Sequence, residues 1–162
     1  SLHPLPPVSE RPPIQVADAT TMAGPVALPE RDVLAKALEL SRLLKPVASS
    51  RIVTTLVGGD LAALASGPGM AMLAGIELLP LGLFNLGDLQ ACIEGGRHVH
   101  LVLPGEMEPA LAHSRLAEHQ ALASVIFVRR AEHPAYPALD RPDLAIVEVE
   151  ARSASEILIS RR

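Results

Sequence analysis

The sequence predicts a three-layer α/β sandwich on a mostly parallel sheet of about five strands. Three observations carry this. Short apolar, β-branched runs recur along the chain, among them "RIVTTLV" (51–57), "HLVL" (100–103) and "SVIFV" (124–128). Helical segments separate them, and crossovers of that kind demand parallel neighbours with helices on both faces. The inner runs are apolar on both sides of the pleat, as strands covered on both faces must be.

The elements follow in order. Residues 1–29 hold seven of the chain's fifteen prolines and no lysine. Proline fixes φ and removes a donor, so this part is expected as a proline-rich arm or linker, extended or docked along another protein. A single α/β domain, 30–162, follows it. The domain opens with an amphipathic helix over 30–45. Val33, Leu34, Ala37, Leu38, Leu40, Ser41 and Leu44 share one side, Glu30 and Asp32 lie early, and Lys45 lies last. Pro29 precedes the helix and Pro46 ends it.

"SSRIVTTLVGG" is a strand closing on a turn, and "DLAALASG" is a short helix with Asp60 at its N-cap. Pro68-Gly69 interrupts that helix before "MAMLAG" resumes it. "IELLPLGLF" is the second strand. "NLGDLQACIEGG" is a helix stopped by Gly95-Gly96, and "HVHLVLPG" is the third strand. "EMEPALAHSRLAEHQALA" is expected as one long helix with Glu106 and Glu108 in its first turn. "SVIFVRR" is the fourth strand. The loop "AEHPAYPALDRP" offers the sole tyrosine, Tyr136, to a partner. "DLAIVEVEA" alternates, with Glu148 and Glu150 on one face, which suits an edge strand with a wet side. "SASEILISRR" is either a last strand or a short helix. The arrangement is flavodoxin-like or Rossmann-like.

Composition narrows the function classes. The net charge is −4, aromatics make up 2%, and the chain has no tryptophan. With no basic stripe and few stacking rings, nucleic acid is not expected as a partner. No apolar run reaches membrane-spanning length, and no signal peptide is visible. Cys92 is alone, so no internal disulfide is expected, and a reducing, cytoplasmic setting fits.

In such sheets, ligands sit beyond the carboxyl ends of the strands. Gly58-Gly59 stand at such an end and could bring backbone N–H groups to an anion. The stretch matches neither G-x-G-x-x-G nor G-x-x-x-x-G-K-[ST], and no lysine or arginine lies between Arg51 and Arg97 to balance a phosphate. Asp60 would repel one. Asp60 is also similar in place to the metal-binding carboxylates of phosphoacceptor receiver domains. The rest of that chemistry is missing. Glu106 follows the third strand, Arg129-Arg130 stand in place of a lysine after the fourth, and Lys36 and Lys45 both precede the sheet. His98 and His100 share a strand face at i, i+2 without a well-placed third ligand. No metal site and no cofactor are assigned.

"GPGMAM", Gly67 to Met72, resembles the "NGAGLAM" segment of the beta subunit of succinyl-CoA synthetase and related acyl-CoA ligases, and "LGLFNLGDL" resembles that family's "PANFLDVGG". The resemblance implies a helix whose N-terminus faces an anionic group, a phosphohistidine in that family, and would make residues 61–69 a strand. Ser66 stands where the family has Asn and Pro68 where it has Ala. The family's "GGG" continuation is missing, and without an ATP-grasp portion the chain would be only the minor half of such an enzyme.

The expected function is a non-catalytic receiver-like or Rossmann-like regulatory domain. It would act as a scaffold in a larger assembly or multidomain protein, through a protein partner or self-association. The alternative is a small-ligand-binding or enzyme subunit domain using the turn from Gly58 to Gly69 for an anionic cofactor. Its candidate residues are Gly58, Gly59, Asp60, Gly67 and Gly69.

Overall fold

A computed structural model describes residues 14–17, 25–82, 84–130 and 137–162, with the backbone alone at 14–17 and 25–27. Most of the expected arm, and Tyr136 with the first half of its loop (131–136), lie outside these residues. Within residues 1–29, β1 (Ile14–Ala17) and β2 (Pro25–Leu28) pair antiparallel as a two-stranded ribbon. Proline is tolerated there because Pro25 opens its strand.

The helix α1 (Glu30–Leu44) turns Val33, Ala37, Leu40 and Leu44 inward. Lys45 closes it in a left-handed conformation, its N–H donating to Ser41 O at 2.8 Å. The main sheet follows with β3 (Arg51–Thr54), β4 (Glu77–Pro80), β5 (Val99–Pro104), β6 (Leu122–Arg130), β7 (Ala145–Ser153) and β8 (Glu156–Arg161). Its order is β4-β3-β5-β6-β7-β8. The first five are parallel and β8 runs antiparallel to β7. The first strand to enter thus lies between the second and third, the flavodoxin-like order.

Side chains alternate between two cores. Ile52, Val102, Ile126 and Val147 face α1 and the α2 (Leu61–Leu64) to α3 (Met70–Ala74) segment. Val53, Leu101, Leu103 and Phe127 face α4 (Leu86–Glu94) and α5 (Glu108–Ala112). Helices therefore cover both faces, and the three-layer α/β sandwich expected from the sequence is the observed fold.

One alternative is decided and three local expectations change. Residues 61–69 are helical and not the strand that the acyl-CoA ligase resemblance requires. Asp60 caps α2, and Ala65–Gly69 continues it as a π-helical turn into α3. Pro68 lacks an N–H and its ring needs room, which a wider turn provides. Gly69 is the close approach of this helix to α1: a Cβ there would lie 3.1 Å from Ala37 Cβ and 3.2 Å from Val33 Cγ1.

The long helix after β5 is broken. A 3₁₀ turn (Gly105–Met107) precedes α5, and a second (Arg115–Glu118) follows it. Ser114 N–H and Oγ both donate to Leu111 O, at 3.0 and 2.7 Å, so that carbonyl is taken where a longer helix would need it for residue 115. The strand β7 is interior, and β8 is the edge. The alternation in "DLAIVEVEA" marks a partly polar face on a strand paired on both sides. Finally, His98 lies outside β5 with φ +35° and does not share a strand face with His100.

Candidate functional site

The strand order reverses between β3 and β5, and the crevice beyond that point is where open α/β sheets take ligands. A cavity of about 290 Å³ opens there, lined by Thr55, Leu56, Val57, Pro104, Glu106, Val128 and Arg130. Its floor is held by local hydrogen bonds. Thr55 Oγ1 donates to Val102 O at 3.0 Å, and Leu56 N–H donates to Thr54 Oγ1 at 3.2 Å. Val57 stands 81% exposed at the lip. Gly58 follows with φ +122°, a conformation that side chains rarely adopt, so glycine is required for the turn.

Asp60 closes this turn. Its Oδ1 accepts the Ala63 N–H at 3.0 Å, and its Oδ2 lies 2.8 Å from Arg130 Nη2. The cation missing between Arg51 and Arg97 is thus supplied from the end of β6, 70 residues later. The run "FVRR" carried that signal, since a cation at the carboxyl end of a parallel strand points to the ligand edge. An anion approaching Arg130 competes with Asp60 for its charge, while Glu106 adds a second carboxylate to the wall. Asp60→Ala is expected to cost about 1 kcal/mol through the lost N-cap, measured by denaturant unfolding. A change within a few tenths would show that the cap contributes nothing.

Of the five candidate residues, Gly58, Gly59 and Asp60 form the turn beside the crevice without lining it, and Asp60 meets it through Arg130. Gly67 and Gly69 are elsewhere. Both are buried in the π-helical turn, Gly67 facing Thr54 and Leu78 and Gly69 facing α1. Their small size serves helix packing there.

A second cluster escaped the sequence reading. Glu108 and Glu148 were expected on a helix turn and a wet strand face. Instead the Glu108 side chain is 0% exposed, and it joins Arg129, Arg162 and Glu148. Arg129 Nη2 and Arg162 Nη1 donate to Glu108, the latter at 2.5 Å. The N–H groups of Ala138 and Leu139 donate to its Oε2 at 2.9 and 2.8 Å. Arg129 Nε donates to Glu148 at 2.6 Å, and Arg162 Nη2 also reaches Glu148. Both guanidinium groups lie over Phe127, at 5.3 and 5.6 Å from the ring centre. Burial pushes the Glu108 carboxyl up, but the hydrogen bonds from Arg162, Leu139, Ala138 and Arg129 outweigh it and hold it at about 2. With two acids matched to two arginines, the cluster is a self-satisfied lock on β6, β7 and the chain after β8.

A third feature is His100, 2% exposed on the α1 side of the sheet. Its Nδ1 pairs with Ser124 Oγ at 2.6 Å, and its Nε2 is buried with no partner among the described residues. Burial first, and the nearby His98 second, lower its pKa to about 4. Among the described residues no group of three or more His, Cys, Asp or Glu is arranged to hold a metal ion. No helix among them is long and apolar enough to cross a membrane.

No family model matches the chain, and neither does any curated protein. Solved structures do. The N-terminal subdomain of Klebsiella oxytoca NpsA, in complex with 3-hydroxyanthranilyl-AMSN, matches 93% of this chain and 40% of its own, with TM-score 0.65 and 18% identity. The O-succinylbenzoate coenzyme A synthetase (MenE) of Bacillus subtilis, in complex with AMP, matches 90% of this chain and 31% of its own, with TM-score 0.68 and 12% identity. An artificially fused adenylation–PCP di-domain from Klebsiella oxytoca, NpsA-ThdA, matches 78% of this chain and 24% of its own, with TM-score 0.58 and 19% identity. The chain therefore spans well under half the length of the structures that it resembles.

These neighbours correct one expectation. They are an N-terminal NpsA subdomain, a coenzyme A synthetase and an adenylation–PCP fusion, and none is a receiver or regulatory domain, so the regulatory-scaffold expectation is withdrawn. The Rossmann-like description of the fold remains compatible with them.

Proposed function

We propose that this chain is an α/β subdomain of an adenylate-forming enzyme, serving as a ligand-binding or subunit portion that works with a larger remainder. The observation that carries this reading is the backbone likeness over nine-tenths of the chain to the NpsA N-terminal subdomain and to part of a coenzyme A synthetase. That it spans less than half of their length supports a partner role, in which other protein segments complete the site.

The proposed anion contact is Arg130, reached through Thr55, Gly58 and Gly59. Because Asp60 holds Arg130, binding by the chain alone is weak, and removing Asp60 strengthens it. The test is an AMP titration followed by amide chemical shifts. AMP is expected to move the amides from Thr55 to Gly59 and that of Arg130, at lower concentration in Asp60→Ala than in the wild type. If those amides stay still in both proteins, the crevice is not an anion site and this part of the reading fails.

A further inference from the structure

On the opposite face from Asp60, α4 and the 3₁₀ turn Arg115–Glu118 enclose a second cleft of about 320 Å³. Leu86, Gly87 and Gln90 form one wall, and Ser114, Arg115, Leu116 and His119 form the other.

Both walls are fixed by bonds that do not involve the cleft. Asn85 and Asp88 cap α4 reciprocally, at 2.9 and 3.0 Å. Arg141 Nη1 donates to the carbonyls of Ala117 and His119, at 3.0 and 3.1 Å, and so clamps the far wall. Leu89 and Leu116 anchor the walls in the core. The cleft is therefore pre-organised, which lowers the ordering cost of binding.

The polar lining is one-sided in charge. Gln90 Nε2 gives one of its two protons to Glu94 at 2.7 Å, and the Ser114 hydroxyl proton goes to Leu111 O. His119 Nδ1 accepts the Ala121 N–H at 3.1 Å, which leaves its proton on Nε2 as a donor. Arg115 has no hydrogen bond or ion pair among the described residues. No carboxylate lines the cleft. Its only cationic group is thus a guanidinium, joined by an imidazole N–H and the remaining Gln90 amide capacity, beside the apolar Leu86 and Leu116.

We propose that this cleft binds a small organic anion, a carboxylate or phosphate monoester on an apolar body. Arg115 and His119 hold the charge by charge-assisted hydrogen bonds, and Leu86 and Leu116 cover the body. The site is separate from the crevice at Asp60 and does not depend on the proposed adenylate-forming role.

The test is an amide-shift titration of the whole chain with phenyl phosphate, benzoate, inorganic phosphate and benzylamine, repeated on Arg115→Ala. Saturable shifts at Gly87, Gln90, Arg115 and His119 are expected with phenyl phosphate or benzoate, and which of the two binds tighter identifies the headgroup. Arg115→Ala should weaken binding about tenfold or more, the worth of a hydrogen bond to a charged group. Its melting temperature should stay at the wild-type value, because Arg115 is exposed and unpaired. The proposal is overturned if neither organic anion moves these amides, or if Arg115→Ala binds as the wild type does. It is equally overturned if benzylamine binds as well, or if inorganic phosphate matches phenyl phosphate.

Discussion

Glu108→Ala is expected to destabilise the protein by about 3–5 kcal/mol, the cost of removing one partner from a buried ionic cluster. The carboxylate accepts from two arginines and two backbone N–H groups, all of which lose an acceptor at once. Arg129 and Arg162 are then left with Glu148 alone, which cannot neutralise both. For a chain of this size the melting temperature should fall on the order of 10 °C. Glu108→Gln separates the charge from the shape, since it keeps the volume and one acceptor. It should fall between the wild type and the alanine variant. A loss below about 1 kcal/mol for Glu108→Ala would place the carboxylate in water and reduce the cluster to a surface pairing.

The second large effect is the loss of stability in mild acid. The folded His100 has its pKa lowered to about 4 from 6.5, so the unfolded chain takes up this proton first. The contribution is fully present above pH 6.5 and is lost as pH falls towards 4. Integrated over that window it amounts to about 3 kcal/mol. Glu108 acts lower on the scale. Its carboxyl is depressed from 4.5 to about 2, so its contribution fades only as pH falls from 4.5 towards 2.

The two windows separate by mutation. A His100→Leu, Ser124→Ala double variant removes both members of the buried pair, which is close to neutral at pH 7 because no polar atom is stranded. Chemical unfolding of this variant should be flat between pH 6.5 and 4.5, where the wild type loses stability steeply. Parallel curves for the two proteins would assign the acid sensitivity to other groups.

Much of the architecture was legible in the residues. The doubly apolar runs of β3, β5 and β6 required cover on both faces, and the intervening helices supplied it. Asp60 read as an N-cap and caps α2. The apolar stripe of α1 read as a packing face, and Val33, Ala37, Leu40 and Leu44 are buried on it. These features are local: periodicity, caps and turn glycines act over a few residues. The helix after β5 is broken where Ser114 bonds back to Leu111 O with its N–H and its hydroxyl, a competition that helical periodicity does not register.

The sequence by itself determined the class, an α/β sandwich with an aliphatic core, and the place of the turn at Gly58 and Gly59. Only the tertiary structure decided the order of the strands, and with it the crevice between β3 and β5. It alone brought Arg130 to Asp60, buried Glu108 beneath Arg129 and Arg162, and paired His100 with Ser124. Each of these contacts joins residues far apart in the chain. Charge pairing carries no period, so nothing in the local pattern names the partner until the strands lie side by side.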